Sequence, residues 1–485
     1  MSTTGYITSD SSVMFLPIVT GGLKFNESIS EEGAVSVSYG DVEILNPNGD
    51  YDTWLDTTKY IWVNRAIEIY YGDPSFVCVN FAQVITDFEL IFNGLISDID
   101  SKDRTTINIK VRDKMERLNT PITENKLGTF GTWAGGQTNQ DTIKPIVFGE
   151  VHNVTPLLVD PSLLDYMVND GATEQLIELR DNGVPVYTVT TLPGGATVNL
   201  TTGRFTLTNA LQGVLTATLQ GVKNSINLST GALVSGTYVN RVANLIALIT
   251  TQYGKSYTLL SSSDLDLVNL AAFDTANTQA VGIIITDRDN ILSVCQELAS
   301  SLGAQMFFTR KGKLQLLKYG VATSDAVVTI TDNDILHHSL NIVNRASIIA
   351  ATKLGYAKNW TVQTNLLTAI PQAHKDLFAE EWLTITVKDD SVKALYKLNA
   401  DPVQKDTSLI VAAEATTETT RLNNYYKSVR TTYGFTGTSK LLSLKLGQSV
   451  LLFHNRFGLS NGVTGQVTSL SPDWSKGLID IEVLI

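Results

Sequence analysis

Apolar and polar residues alternate with a period of two through much of this chain. Val35, Val37 and Tyr39 alternate with Ser36 and Ser38, and residues 66–71, 89–96 and 106–111 follow as strands. Further short strands are expected at 176–179, 184–189, 196–200, 204–207 and 214–219. Asp181-Asn182-Gly183, Pro193-Gly194-Gly195 and Thr202-Gly203 separate them, a spacing that suits a small sandwich or barrel. The period then changes. Val242, Leu245, Ile246 and Ile249 recur at helical spacing before Gly254, and 264–272 reads as a shorter second helix. A third, capped by Asp289, carries Leu292, Cys295, Leu298 and Leu302 on one face and stops at Gly303. Residues 305–309 and 314–317 form a β-hairpin around Arg310-Lys311-Gly312-Lys313. Strands and loops fill 326–399, a helix covers 411–429, and strands at 443–446, 449–453, 464–469 and 478–484 finish the chain.

These patterns imply a mainly β protein with minor α, made of β-barrel or sandwich modules and one helix-plus-hairpin α+β module. The expected segments are a barrel-like domain over 1–120, an extended loop or arm over 121–145 and a small β-sandwich over 146–225. An α+β domain over 226–325, strands and a helix over 326–430 and C-terminal strands over 431–485 follow. The arm is rich in Gly, Thr, Gln and Asn around isolated Phe130 and Trp133. A length of 485 residues, 43% of them hydrophobic and 17% charged, is enough for three or four cores.

The net charge of −12 and the lack of clustered Lys and Arg argue against tight nucleic-acid binding. They fit either a diffuse acidic surface or an acidic conduit wall along which a duplex slides. Cys78, in the strand-like run 76–79, and Cys295 both read as buried thiols. No signal peptide and no membrane-length apolar stretch is evident, so synthesis and assembly in a reducing cytoplasm are expected.

The motifs of common chemistry are missing. The five histidines (His152, His337, His338, His374 and His454) show no zinc spacing, and His337-His338, which on a strand would point to opposite faces and so not share a metal, read as surface or loop residues. Asn46, Asn48, Asp50 and Asp52 superficially resemble a calcium loop, but Gly49 is misplaced and the twelfth-position Glu is lacking, so a plain turn is expected. Nucleophile-elbow, Walker and dinucleotide motifs do not occur. The acidic pairs Glu380-Glu381 and Asp389-Asp390 read as solvated turns, and Trp360 and Trp382 as core or sugar-stacking aromatics. No catalytic residue, cofactor or metal is expected, and the chain is not read as an enzyme.

Four groups of residues together resemble the baseplate hub, or tail-tip, proteins of long non-contractile-tailed bacteriophages. The first is Val42-Glu43-Ile44-Leu45-Asn46-Pro47-Asn48-Gly49-Asp50-Tyr51-Asp52, with Trp62, Arg65 and the strand after them. The second is Phe92-Asn93-Gly94-Leu95-Ile96 with the run of 144–156, and the third is the helix-to-hairpin unit of 289–317. The fourth and most specific is Leu446-Gly447-Gln448-Ser449-Val450, His454-Asn455-Arg456-Phe457-Gly458-Leu459, Gly465-Gln466-Val467 and Ile479-Asp480-Ile481-Glu482-Val483. They span nearly the whole chain in the family's order.

The resemblance implies a virion structural protein at the tail tip, usually a trimer, in which two barrel-like domains per subunit make a ring of six. Such a ring adapts a six-fold tail tube to a three-fold tip and lines the channel through which genomic DNA leaves without specific binding. Implied partners are the distal tail protein, tail tube, tape-measure protein and tip or fibre proteins, with possible contact to the host envelope. Phe130, Trp133, His454, Arg456 and Phe457 are the candidate interaction residues; for His454 and Arg456, local satisfaction of loop carbonyls is the competing reading. Two other functions stay open: a receptor- or carbohydrate-binding tail protein, and a tail-associated cell-wall hydrolase.

Overall fold

The computed structural model describes residues 1–21, 24–29, 39–73, 75–128, 140–320, 327–398 and 401–485. Strands make up 39% of the chain and helices 19%, so the class is mainly β with minor α. The chain forms two compact units and passes between them four times. One consists of Met1–Glu116, Gln305–Ala346 and Arg430–Ile485, the other of Arg117–Ala304 and Ser347–Val429. Each unit therefore draws on several of the contiguous segments named from the sequence.

Two large sheets carry most of the first unit's described strands. A five-stranded antiparallel sheet runs Val19–Gly21, Tyr39–Leu45, Thr106–Arg112, Glu89–Asp103, Ala66–Tyr71. Alternation sets its faces: Ile107, Ile109 and Val111 are buried, and Ile44 and Val42 stand opposite Ile107 and Ile109. Phe25 stacks on Phe92 at 4.7 Å to complete that core. The second sheet runs Val328–Ile330, Ser449–Leu452, Val463–Asp473, Leu478–Leu484, Thr431–Gly437, Asn341–Arg345, with Glu27–Ser28 added along Val463–Asp473. Ile479, Ile481 and Val483 fill its buried face.

One buried ion pair ties three distant stretches of this unit together. Arg310 sits in the turn of the hairpin Ala304–Phe308/Leu314–Lys318. Its side chain and that of Glu27 are 8% and 5% exposed and lie 3.5 Å apart. The Arg310 backbone N–H donates to Glu27 Oε1 at 2.5 Å, and its guanidinium donates to the carbonyls of Leu442 and Leu444 at 2.9 and 3.1 Å.

The second unit holds a sandwich. A five-stranded sheet (Val184–Thr188, Thr173–Asp181, Leu215–Val222, Ile146–Val154, Gly282–Ile285) shares one core with a four-stranded sheet (Leu157–Asp160, Asp165–Met167, Arg204–Leu207, Ala196–Asn199). Tyr166 and Phe205 stack at 5.5 Å inside it. Helices Val242–Gln252, Leu267–Ala276 and Ile291–Ser300 follow, with a three-stranded sheet Leu383–Lys388, Ala351–Tyr356, Gln404–Asp406 and the helix Ala412–Tyr426.

Several local expectations are corrected, and others hold. Residues 76–79 are not a strand: Asp73 starts a turn, accepting from Ser75 N and Phe76 N, and Val77 and Val79 are left exposed. Cys78 and Cys295 are both buried free thiols. Residues 443–446 are not a strand either, because the Leu442 and Leu444 carbonyls are taken by Arg310. Helices Phe81–Asp87, Gln372–Ala379 and Asp390–Tyr396 interrupt stretches read as strand or loop. In the last, Asp389 of the presumed solvated pair is the cap, accepting from Val392 N. His337 and His338 lie in an exposed turn, as expected; His338 has φ +64°, and the two rings meet edge to face at 3.7 Å. The 46–52 segment is a closed turn in which Asn46 accepts from Tyr51 N and donates to Asp52. The alternation around Val35 and Val37 lies outside the described residues.

The helix cap at 289–291 is displaced by one residue. Asn290 accepts from Leu292 N at 2.9 Å, while Asp289 contributes only its carbonyl, to Ile122 N. Asn290→Ala is therefore expected to cost about 1 kcal/mol of stability in urea denaturation. Asp289→Ala should cost nothing at neutral pH. Burial and the Asp287 carboxylate raise the Asp289 pKa, so folding favours its protonated form, a contribution present in acid and lost as pH rises.

Candidate assembly interface

The loop after Ser449–Leu452 presents three of the five candidate residues together. His454 N donates to Leu459 O and Leu459 N to Arg456 O, which closes the loop on itself. His454 Nδ1 accepts from Arg456 N at 3.1 Å, so in the neutral ring the proton lies on Nε2, 3.4 Å from Asp332 Oδ1. The histidine is thus engaged locally, with a backbone N–H and a carboxylate in place of the expected carbonyls. Arg456 and Phe457 point outward. Phe457 is 44% exposed, its ring 6.1 Å from Tyr433 and 5.7 Å from the Arg456 guanidinium. Phe457 has φ +59° and Gly458 φ +78°. A bulky residue in left-handed backbone costs roughly 1–2 kcal/mol, and such strain concentrates where a side chain must be aimed.

Phe130 and Trp133 lie outside the described residues, but both ends of their segment are fixed in the second unit. Leu127 N donates to Thr142 O and Gly128 N to Gln140 O, so 125–128 and 140–144 run side by side as a ribbon. Ile122, Leu127 and Ile143 bury its base.

The first unit offers further surfaces that sequence patterns missed. Among the described residues, Ala66–Tyr71 and Asn341–Arg345 each end a sheet with one side unpaired. Tyr71 and Val343 on these edges are 52% and 49% exposed. An open edge carrying apolar side chains is a template for pairing with another chain. Near the N-terminus, Ile7, Met14 and Val77 stand exposed around the small hairpin Tyr6–Ile7/Met14–Phe15, a grouping typical of protein contact surfaces. Edge status depends on the whole sheet order, which a single strand's pattern does not carry.

No family model matches the chain, and no curated protein matches it. Solved structures are similar to it in chain course. A 43 kDa prophage tail protein from Shewanella oneidensis shares 11% identity at a TM-score of 0.40, over 97% of this chain and 95% of its own. A tail protein from Neisseria meningitidis shares 9% identity at 0.39, over 96% and 92%. A chain of a native gene transfer agent virion shares 12% identity at 0.46, over 76% and 91%.

Proposed function

We propose that the chain is a structural subunit of a bacteriophage tail, a baseplate hub at the distal end, which works by shape and self-association and has no reacting residue. The placement of its most family-like sequence carries this reading. Residues 449–450, 465–467 and 479–483 of these runs fall on neighbouring strands of one sheet, 446–448 lead into the first of them, and 454–459 lies in the loop between two of them. That sheet and the five-stranded one belong to the same unit, and each leaves an edge open among the described residues.

In this reading three copies join edge to edge. Two sheets per copy make six around an axis, a match to a six-fold tube on one side and a three-fold tip on the other. The Arg456–Phe457 loop and the 121–145 arm touch neighbouring copies or the distal tail, tape-measure and fibre proteins. DNA passes through the centre, kept mobile by an acidic wall. Assembly happens in the host cytoplasm.

Immunogold labelling of purified tails tests the placement. Antibody against this chain should mark the distal tip. Label along the tube, at the head end or nowhere on the particle overturns the proposal.

A further inference from the structure

The second unit contains a cleft of about 390 Å³ that the assembly reading does not use. That is within the usual range for small-ligand sites, roughly 300–1,000 Å³. Its two sides differ in chemistry. One is the polar face of the five-stranded sheet, where Glu178, Arg180, Thr218 and His152 come from three adjacent strands. Glu178 and Thr218 stand directly opposite each other in register. The other side, from 356–412, is largely apolar, with Leu377, Phe378, Leu383 and Ile410, and carries Tyr356, His374 and Glu380 among them.

The charges on the sheet side are already matched. Arg180 Nε and Nη2 donate to the two oxygens of Glu178, each at 2.9 Å, and Nη1 donates to the Gly183 carbonyl at 3.0 Å. The guanidinium also lies 5.4 Å from the centre of the Phe378 ring. Burial lowers the His152 pKa, which favours the neutral ring, although Glu150 and Glu178 oppose the shift. Phosphate or carboxylate would find no uncommitted guanidinium here. The Glu178 carboxylate still has lone pairs beyond the two used by Arg180, Glu380 is exposed, and hydroxyl and imidazole groups can both donate and accept. The cleft thus offers the Glu178 carboxylate and the Thr218 hydroxyl on one side, and across from them aliphatic side chains with the Glu380 carboxylate beside them.

A pyranose ring has that same division, with hydroxyls around its rim and C–H groups on its faces. We propose that this cleft binds an uncharged saccharide, one sugar ring with its hydroxyls toward Glu178, Thr218 and Glu380 and a C–H face toward Leu377 and Leu383. The inference is independent of the assembly reading, since a free chain or an assembled one would carry the same cleft.

The full chain should be titrated with D-glucose, D-galactose, L-rhamnose and N-acetyl-D-glucosamine, followed by calorimetry and saturation-transfer NMR. Methyl β-D-glucuronide and D-glucosamine serve as anionic and cationic controls. At least one neutral sugar should bind in the millimolar range. Glu380→Gln and Leu377→Arg both lie at exposed positions and should leave folding intact. Either should weaken that binding by about tenfold or more. Failure of all four neutral sugars at tens of millimolar overturns the proposal. So does binding of the charged controls alone, or neutral binding that both variants leave unchanged.

Discussion

Arg310→Ala is expected to lower the urea stability of the first unit by about 3–5 kcal/mol, the usual cost of removing one partner from a buried ion pair. The substitution leaves the Glu27 carboxylate buried without its counter-charge and takes the donors from the Leu442 and Leu444 carbonyls. Because it joins residues 283 and 132 positions apart, its loss should also loosen the N-terminal strand and the 439–446 segment, seen as faster amide exchange. The double change Arg310→Met with Glu27→Gln should lie closer to wild type than Arg310→Ala, since it removes both charges while keeping an acceptor for the Arg310 backbone N–H. Lys24→Ala is the contrast. Its pair with Asp480 is about half exposed on each side, and such pairs contribute under about 1 kcal/mol. Equal small losses from Arg310→Ala and Lys24→Ala would rule out the clamp.

Gly149→Ala should destabilise the second unit by about 2–5 kcal/mol, from left-handed backbone and overpacking combined. Gly149 has φ +71°, and a Cβ there would lie 1.9 Å from the Val281 carbonyl oxygen. Its register partner is Gly282, where a Cβ would lie 1.6 Å from the Glu150 carbonyl oxygen. Both obstacles are backbone atoms, which cannot swing aside like a flexible side chain. The mutant should show its largest loss of amide protection in Gly282–Ile285, the edge strand that this close approach attaches. Gly194→Ala, with nothing within 4 Å of the added carbon, should change stability by less than about 0.5 kcal/mol. A Gly149→Ala protein as stable as the Gly194→Ala control would contradict the packing described.

What the sequence made legible was local. The strand at 204–207 has the expected bounds, and so does the one at 478–484, because alternating Ile479, Ile481 and Val483 against Asp480 and Glu482 needs only one buried face. The strands Glu89–Asp103 and Val463–Asp473 run well past their expected ends, since pairing extends a strand through polar residues that have no alternation. Helix Gln372–Ala379 escaped notice because it buries only Phe378. Helix Asp390–Tyr396 buries nothing, and its signal was the capping Asp389 that looked like half of a solvated pair. Residues 443–446 have strand-like composition, but their turn is imposed by a guanidinium from another part of the chain.

The candidate surfaces divide the same way. A loop around Arg456 and Phe457 was readable from Gly458 and the strands flanking it. The left-handed backbone at Phe457 was not, because nothing in that residue's type prefers it. The cleft groups Glu178 with Glu380, some two hundred positions apart, so no spacing rule could have joined them.

Association through the open edges of the first unit, as proposed, would show in solution as a defined oligomer. Light scattering on the purified full-length protein should be run alongside a Tyr71→Lys/Val343→Lys variant whose charges discourage edge pairing. The native protein is expected to have the mass of three chains and the folded variant that of one. A native protein that remains a single chain at every concentration, or a variant that still forms the trimer, would rule out association through these edges.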